Sequence, residues 1–183
     1  MKKISTLFKK DPNDLGRVVN EINPENLWVF DPGVVATRKW DGTACAVING
    51  ELYKRYDVKK GKPTPDNAIP CQEADLITGH WPHWIKCDRT DNSNKWHFEA
   101  YDKYIFKDGT YELCGQKIQG NPEKMNHHIL IPHGHYVLEL DIFDFDTLKE
   151  YLTIVDIEGI VFHQPLTGKM CKIRKSDFGI KRN

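Results

Sequence analysis

Lys39-Trp40-Asp41-Gly42 sets an amine two residues ahead of a carboxylate and a turn-forming glycine. Four further groups follow: Arg55, sixteen residues after Lys39; Glu112, within Thr110-Tyr111-Glu112-Leu113-Cys114-Gly115; Glu158-Gly159-Ile160-Val161-Phe162; and Lys172-Ile173-Arg174-Lys175. A neutral amine can attack phosphorus, a carboxylate can hold a hard cation, and clustered cations can clamp phosphate oxygens. Each piece alone has a plainer reading. A chain of this length holds Lys-x-Asp-Gly by chance about one time in twenty, as a surface lysine before a turn. Glu112 and Glu158 would then be exposed strand-end carboxylates, and Lys172 to Lys175 a solvated basic edge that protects a sheet from pairing. The weight lies in the ordered set.

The elements that must position these residues are mostly strands. Val34 to Lys39 is β-prone and runs into Asp41-Gly42, a turn pair. Ala44 to Ile48, Asn49-Gly50 and Glu51 to Tyr56 read as a hairpin, because Asn and Gly tolerate the positive φ of a type I′ turn. That antiparallel return can bring Arg55 beside Lys39. Thr110 to Cys114 and the apolar run Tyr136 to Phe143 are expected strands. Gly159 to His163 and Met170 to Arg174 pair around a turn at 165–168, and alternation aims Lys172 and Arg174 to one face. Asp11-Pro12 predicts a helix over about 12–22, residues 95–105 a second, and Asp146 to Glu150 a short capped one. Residues 59–70 read as a Pro-rich loop and 79–96 as irregular structure. The pattern is α+β on antiparallel sheets.

Composition admits a globular enzyme: 183 residues, 39% hydrophobic and 28% charged. Net charge is zero, from 26 basic and 26 acidic residues, unlike a protein that coats nucleic acid non-specifically. Basic residues are dense only locally, at Lys54-Arg55, Lys59 to Lys62 and Lys169 to Lys181. Five scattered cysteines without a Cys-x-x-Cys pair argue against a disulfide framework and a zinc ribbon, and for reduced thiols. No apolar run approaches the ~20 residues of a membrane span, and the basic start lacks a signal-peptide core. A cytoplasmic monomer without membrane association is expected. His127-His128 with His133-Gly134-His135 has usable zinc spacings but no nearby Cys or acidic partner, so loop or substrate-facing histidines are the reading. Trp81, Trp84 and Trp96 are expected in the core rather than as a base-stacking platform.

In this order the five groups resemble the motifs of the covalent nucleotidyltransferase superfamily, the ATP-dependent ligases and mRNA-capping enzymes. Ile77-Thr78-Gly79-His80-Trp81-Pro82, Tyr111 to Pro122 and Asp177-Phe178-Gly179 narrow the likeness to the small RNA ligases related to vertebrate RNA ligase 1. The resemblance covers about residues 25–183. It implies a single nucleotidyltransferase domain over 1–183, an ATP-grasp-like ligase adenylation fold with a short N-terminal helical segment and no C-terminal OB-fold.

The same resemblance implies an ATP-dependent 5′–3′ RNA ligase. Lys39 would take AMP from ATP, with Mg²⁺ or Mn²⁺ as cofactor, and pass it to RNA bearing a 5′-phosphate, which a 3′-hydroxyl then joins. A depressed lysine pKa would be needed. Lys172, with Arg174 or Lys175, would clamp the phosphates. Glu158 and Asp41 would hold the metal, Glu112 a ribose hydroxyl, and Arg55 a ribose or RNA phosphate. Thr37 would contact adenine, with Asp41 and Gly42 lining the nucleotide. Tyr136 and Phe143 are candidates for stacking on the base. The alternatives are a capping guanylyltransferase or DNA ligase, which carry an OB-fold after the last motif, and a non-catalytic RNA-end-binding module.

Overall fold

The computed structural model describes residues 3–59, 61–75 and 79–182, an α+β chain of mostly antiparallel strands with few helices. In chain order the first elements are β1 (Ser5–Thr6), β2 (Phe8–Lys10), β3 (Val18–Ile22), a 3₁₀ helix Pro24–Phe30 and β4 (Val35–Lys39). Next come β5 (Thr43–Ile48), β6 (Glu51–Val58), β7 (Ile69–Pro70), β8 (Trp81–Lys86), α1 (Lys95–Tyr101), β9 (Gly109–Cys114) and β10 (Ile129–Pro132). The chain closes with α2 (Phe145–Ile154), β11 (Gly159–Gln164), β12 (Lys169–Arg174) and a 3₁₀ turn Lys175–Phe178. No described helix is long and apolar enough to cross a membrane.

Two compact units result. One is discontinuous, Ile4–Trp40 with Gly134–Asn183; the other is inserted, Asp41–His133 together with Met1–Lys3. The discontinuous unit holds a four-stranded sheet in the order β1-β12-β11-β4, antiparallel except for β1 on β12, and the separate pair β2-β3. Its core gathers Leu7, Phe8, Val29, Ile160, Phe162 and Ile173 with Leu148 and Leu152 of α2, which lie four apart and share one helix face. Asp144 starts α2, accepting from the Thr147 backbone N–H at 2.9 Å and the Thr147 hydroxyl at 2.9 Å. That cap lies two residues before the expected one.

The inserted unit is one six-stranded sheet, β10-β9-β5-β6-β8-β7. Its β5–β6 hairpin turns at Asn49 (φ 52°) and Gly50 (φ 72°), as the Asn-Gly pair predicts. The Asp108 carboxylate accepts from both turn N–H groups, at 2.6 and 3.0 Å. Cys45, Val47, Leu52, Leu113 and Leu130 form its core with Ala100 of α1. All five cysteines are free thiols, and burial pushes Cys87 and Cys171 up to about 12.

Three expectations need correction. The helix over 12–22 is absent: the Asp11 carboxylate accepts from Asn13 N–H at 2.8 Å and Asp14 from Gly16 N–H at 2.9 Å. These turns lead into strand β3. An aspartate before a turn and one before a helix use the same side-chain chemistry, so the local sequence did not separate them. Trp81–Lys86 is a strand between β6 and β7, where it buries Pro82, His83 and Trp84; it is not irregular. Residues 136–143 form no strand. They touch β4 through one bridge, Val137 to Thr37, made by Arg38 N–H on the Tyr136 carbonyl and Leu138 N–H on the Ala36 carbonyl, both at 2.8 Å, while Leu138, Leu140 and Phe143 pack on the core. Lys60, Ile77 and Thr78 of the quoted segments lie outside the described residues.

Candidate active-site residues

In the discontinuous unit β11 runs between β4 and β12, and its register sets the candidate residues in rows. Lys39 and Arg174 both stand opposite Gly159, and Thr37 and Lys172 both stand opposite Val161. Cross-strand partners point to the same side of a sheet, and alternate residues share a face. Thr37, Lys39, Val161, His163, Lys172 and Arg174 therefore occupy one face. The opposite face carries Ala36, Ile160, Phe162, Cys171 and Ile173, all nearly or fully buried. Burial of that apolar face is what fixes the polar one.

Gly159 between Lys39 and Arg174 has a structural cause. A β-carbon there would meet the Ile173 carbonyl oxygen at 2.3 Å and the Arg174 Cα at 2.8 Å. Just before it, Glu158 hydrogen-bonds the Lys39 amine through Oε2. The pair is part-buried, 23% and 21% exposed, so it is only partly screened.

Beside them, burial pushes the Lys172 amine down to about 8, with Arg174 and Lys39 adding to the shift and Glu158 and Asp177 opposing it. Arg174 is held by Asp177, which is fully buried and accepts from Arg174 N–H (2.9 Å), Nε (3.2 Å) and Nη2 (2.9 Å). Lys10 Nζ donates to the same carboxylate at 2.7 Å. Burial alone would raise the Asp177 pKa, but the bonds from Arg174 and Lys10 outweigh it and hold the carboxyl below its usual range. Of the two candidate second cations, Arg174 shares the Lys39 face and keeps a third of its side chain exposed. Lys175 is buried in the 3₁₀ turn, its backbone N–H on the Glu158 carbonyl at 2.9 Å.

Thr37 is buried on the same face. Its hydroxyl lies 3.2 Å from the Val161 carbonyl and 2.9 Å from His163 Nε2. Phe143 packs edge-on against Phe162 in the core, which removes it as a base-stacking candidate. Tyr136 is 55% exposed and edge-on to Trp40 at 5.8 Å, with the Arg38 guanidinium 3.8 Å from the Trp40 ring centroid.

The other candidates belong to the inserted unit. Asp41 donates its backbone N–H to Glu123 Oε1 at 2.8 Å. Gly42 donates its N–H to Glu112 Oε1 at 3.1 Å. A β-carbon on Gly42 would meet the Leu113 carbonyl oxygen at 2.2 Å, so only glycine lets the two backbones approach this closely. Glu112 is buried in β9, and its Oε2 lies 2.8 Å from His133 Nε2. Arg55 lies in β6, in contact with Asp57 at 3.4 Å and 5.9 Å from the Trp84 ring centroid. Lys39 and Arg55 thus belong to different sheets. Hairpin formation begins at β5, after the chain has left β4. Of the tryptophans, Trp84 is buried and Trp96 stacks on His128, whereas Trp81 donates to the Gln72 carbonyl at 2.7 Å.

The donor chemistry fits a hard cation at Glu158. Mg²⁺ or Mn²⁺ takes one or two carboxylates together with phosphate oxygens and water, and needs no cage of protein ligands. Among the described residues no cluster of three or more His, Cys, Asp or Glu forms such a cage. Four residues escaped the sequence reading of the site. Lys10 and Asp177 carried no local signal of their pairing, being 167 positions apart. His163 was legible from alternation with Val161. Spacing groups His133 with its neighbouring histidines, although its partner is Glu112. No protein-family model matches this chain, and no curated protein matches its sequence.

Proposed function

We propose that this chain is an ATP-dependent RNA ligase that works through a lysyl-AMP on Lys39. The observation that carries the reading is the polar face of the β4-β11-β12 sheet, where Lys39 touches Glu158, shares its row with Arg174 and shares its face with Lys172. One amine, one carboxylate and a group of cations backed by an apolar core suit nucleotidyl transfer. A nucleotidyltransferase (adenylation) domain is the finer fold assignment proposed with it.

Lys39 Nζ attacks the α-phosphorus of ATP, forming an N–P bond as the bond to pyrophosphate breaks. The proton lost by Nζ has an acceptor already in hydrogen-bond contact, Glu158. Lys172 and Arg174 neutralise charge on the phosphate oxygens, and Asp177 holds the guanidinium in orientation. A divalent cation held by Glu158 would supply charge neutralisation at the phosphates when bound. The N–P bond then breaks as an RNA 5′-phosphate oxygen takes the AMP. Finally a 3′-hydroxyl attacks that phosphate, and AMP leaves.

Incubation with α-labelled ATP or GTP tests the reading. The expected result is covalent label from ATP that is absent in Lys39→Ala, followed by joining of 5′-phosphorylated RNA. Label from GTP alone, or full labelling of Lys39→Ala, overturns it. Comparing RNA, DNA and hybrid nicks tests the polynucleotide.

A further inference from the structure

The fully buried Asp177 carboxylate is shared by two cations. Its Oδ1 accepts from Lys10 Nζ at 2.7 Å and from Arg174 Nη2 at 2.9 Å. Its Oδ2 accepts from the Arg174 backbone N–H at 2.9 Å and from Nε at 3.2 Å. A carboxylate has about four acceptor positions, so these bonds fill it. The lysine comes from the β2–β3 hairpin, where Lys10 stands opposite Val18. Arg17, next to Val18, reaches the same 3₁₀ turn. Its Nη1 donates to the Ser176 carbonyl at 3.3 Å, and a β-carbon on Gly179 (φ 81°) would meet that nitrogen at 2.2 Å. The hairpin is thus built onto the turn that ends β12, although Lys10 precedes the span of the family resemblance, about residues 25–183.

One carboxylate against two cations leaves a positive charge uncompensated within the group. Asp177 and Arg174 alone would present a neutral pair to an anion. Glu158 does not cancel the surplus, because it is matched by Lys39. The grip of Asp177 on Nε and Nη2 also fixes the guanidinium plane and turns its outer edge, Nη1 with Nη2, away from the carboxylate. That edge suits two oxygens of one phosphate. Arg174 is 33% exposed by side chain and shares the Lys39 face.

We propose that Lys10 is a positioning residue for triphosphate binding: by sharing Asp177 it offsets the carboxylate charge, so that Arg174 is held in orientation yet keeps its positive charge for a phosphate of the nucleotide. The proposal rests on the reading of this chain as a nucleotidyltransferase. The triphosphate is charged before transfer as well as during it, so loss of Lys10 falls on KM rather than kcat. Removing a unit charge from a part-buried cluster beside the ligand weakens binding by about tenfold.

The experiment measures lysyl-AMP formation by the full chain over a range of ATP concentrations, and binding of inorganic tripolyphosphate by calorimetry. Lys10→Met removes the charge at similar length, and Lys10→Arg keeps the charge. Lys10→Met should raise KM for ATP and Kd for tripolyphosphate by about tenfold, with kcat within about twofold of wild type. Lys10→Arg should restore both constants. Circular dichroism shows whether each variant is folded; if Lys10→Met is not, Lys10→Gln takes its place with the same expectation. Unchanged KM and Kd in the neutral variant overturn the proposal and leave the ligase reading standing. A fall in kcat without a rise in KM, or a Lys10→Arg as weak as the neutral variant, marks a merely structural role and overturns it too. A wild-type protein that takes no label, yet loses tripolyphosphate affinity on Lys10→Met, overturns the ligase reading and leaves Lys10 as the support of a phosphate site.

Discussion

Lys39 and Arg174 face each other across a single residue, Gly159, from the two strands that flank β11. The amine and the guanidinium are thereby held in one row, with no side chain between them. The row exists because β11 is paired on both edges and because the opposite face of the sheet is buried core.

Gly159→Ala tests this row. Its β-carbon would lie 2.3 Å from the Ile173 carbonyl oxygen, inside van der Waals contact with backbone that has little freedom to move. The expected cost is about 1–3 kcal/mol of stability from overpacking. Lysyl-AMP formation should fall by an order of magnitude or more as the row widens. Urea denaturation and a labelling time course check the two effects; a variant with wild-type stability and rate refutes the argument.

Lys172 predicts an alkaline signature. Its folded-state pKa of about 8 lies below the ordinary lysine value, chiefly through burial. Between about pH 8 and 10.4 the unfolded chain holds a proton that the folded chain has released. The Lys172 contribution to stability therefore rises with pH through that window and is flat below it. Lys172→Met should remove the rise and, by removing a half-buried cation crowded by Arg174 and Lys39, add about 1–3 kcal/mol at pH 7. It should also slow labelling by about 100-fold or more. The wild-type minus variant difference, taken by urea titration at pH 7, 9 and 10, shows the trend; a flat difference contradicts it.

Asp177→Asn should separate the Arg174 clamp from its support. Asp177 is fully buried and binds both Arg174 and Lys10, so neutralising it removes the carboxylate partner of both cations. The expected loss is about 3 kcal/mol near neutral pH. Because the Asp177 pKa is held below its usual value, this stabilisation is fully present above about pH 4. It disappears as pH falls through the lower folded-state value. Acid unfolding of the variant should lack that component, and equal acid midpoints would argue against it.

His97 predicts an acid-side dependence in the inserted unit. Both its ring nitrogens are buried without partners, and burial, then Lys54 and His128, push it down to about 4. Between about pH 6.5 and 4 the unfolded chain binds a proton that the folded chain does not. Stability falls with decreasing pH across that window. His97→Phe should flatten this slope in thermal melts between pH 7 and 4, and an unaltered slope would exclude His97 as its source.

Local chemistry made several elements readable from the sequence. Asn49-Gly50 is a turn because its φ angles are positive, and those angles need no tertiary context. Lys172 and Arg174 share a face because a strand alternates, whatever it pairs with. The β11–β12 hairpin follows from two β-prone runs around a Gly-containing turn. The same local reasoning failed at Asp11 and Asp14, where one side-chain chemistry serves either a turn or a helix start.

What lay beyond the sequence was pairing over distance. Nothing local says that β4 leaves the β5–β6 hairpin to lie against β11, 120 positions downstream of Lys39 at Gly159. Nor does the sequence couple Lys10 to Asp177, or His133 to Glu112. Those contacts form because burying the apolar faces of two separate sheets selects one register for each. The polar residues then stand where that register leaves them. Sequence determined which residues could do the chemistry; only tertiary burial decided which of them stand together.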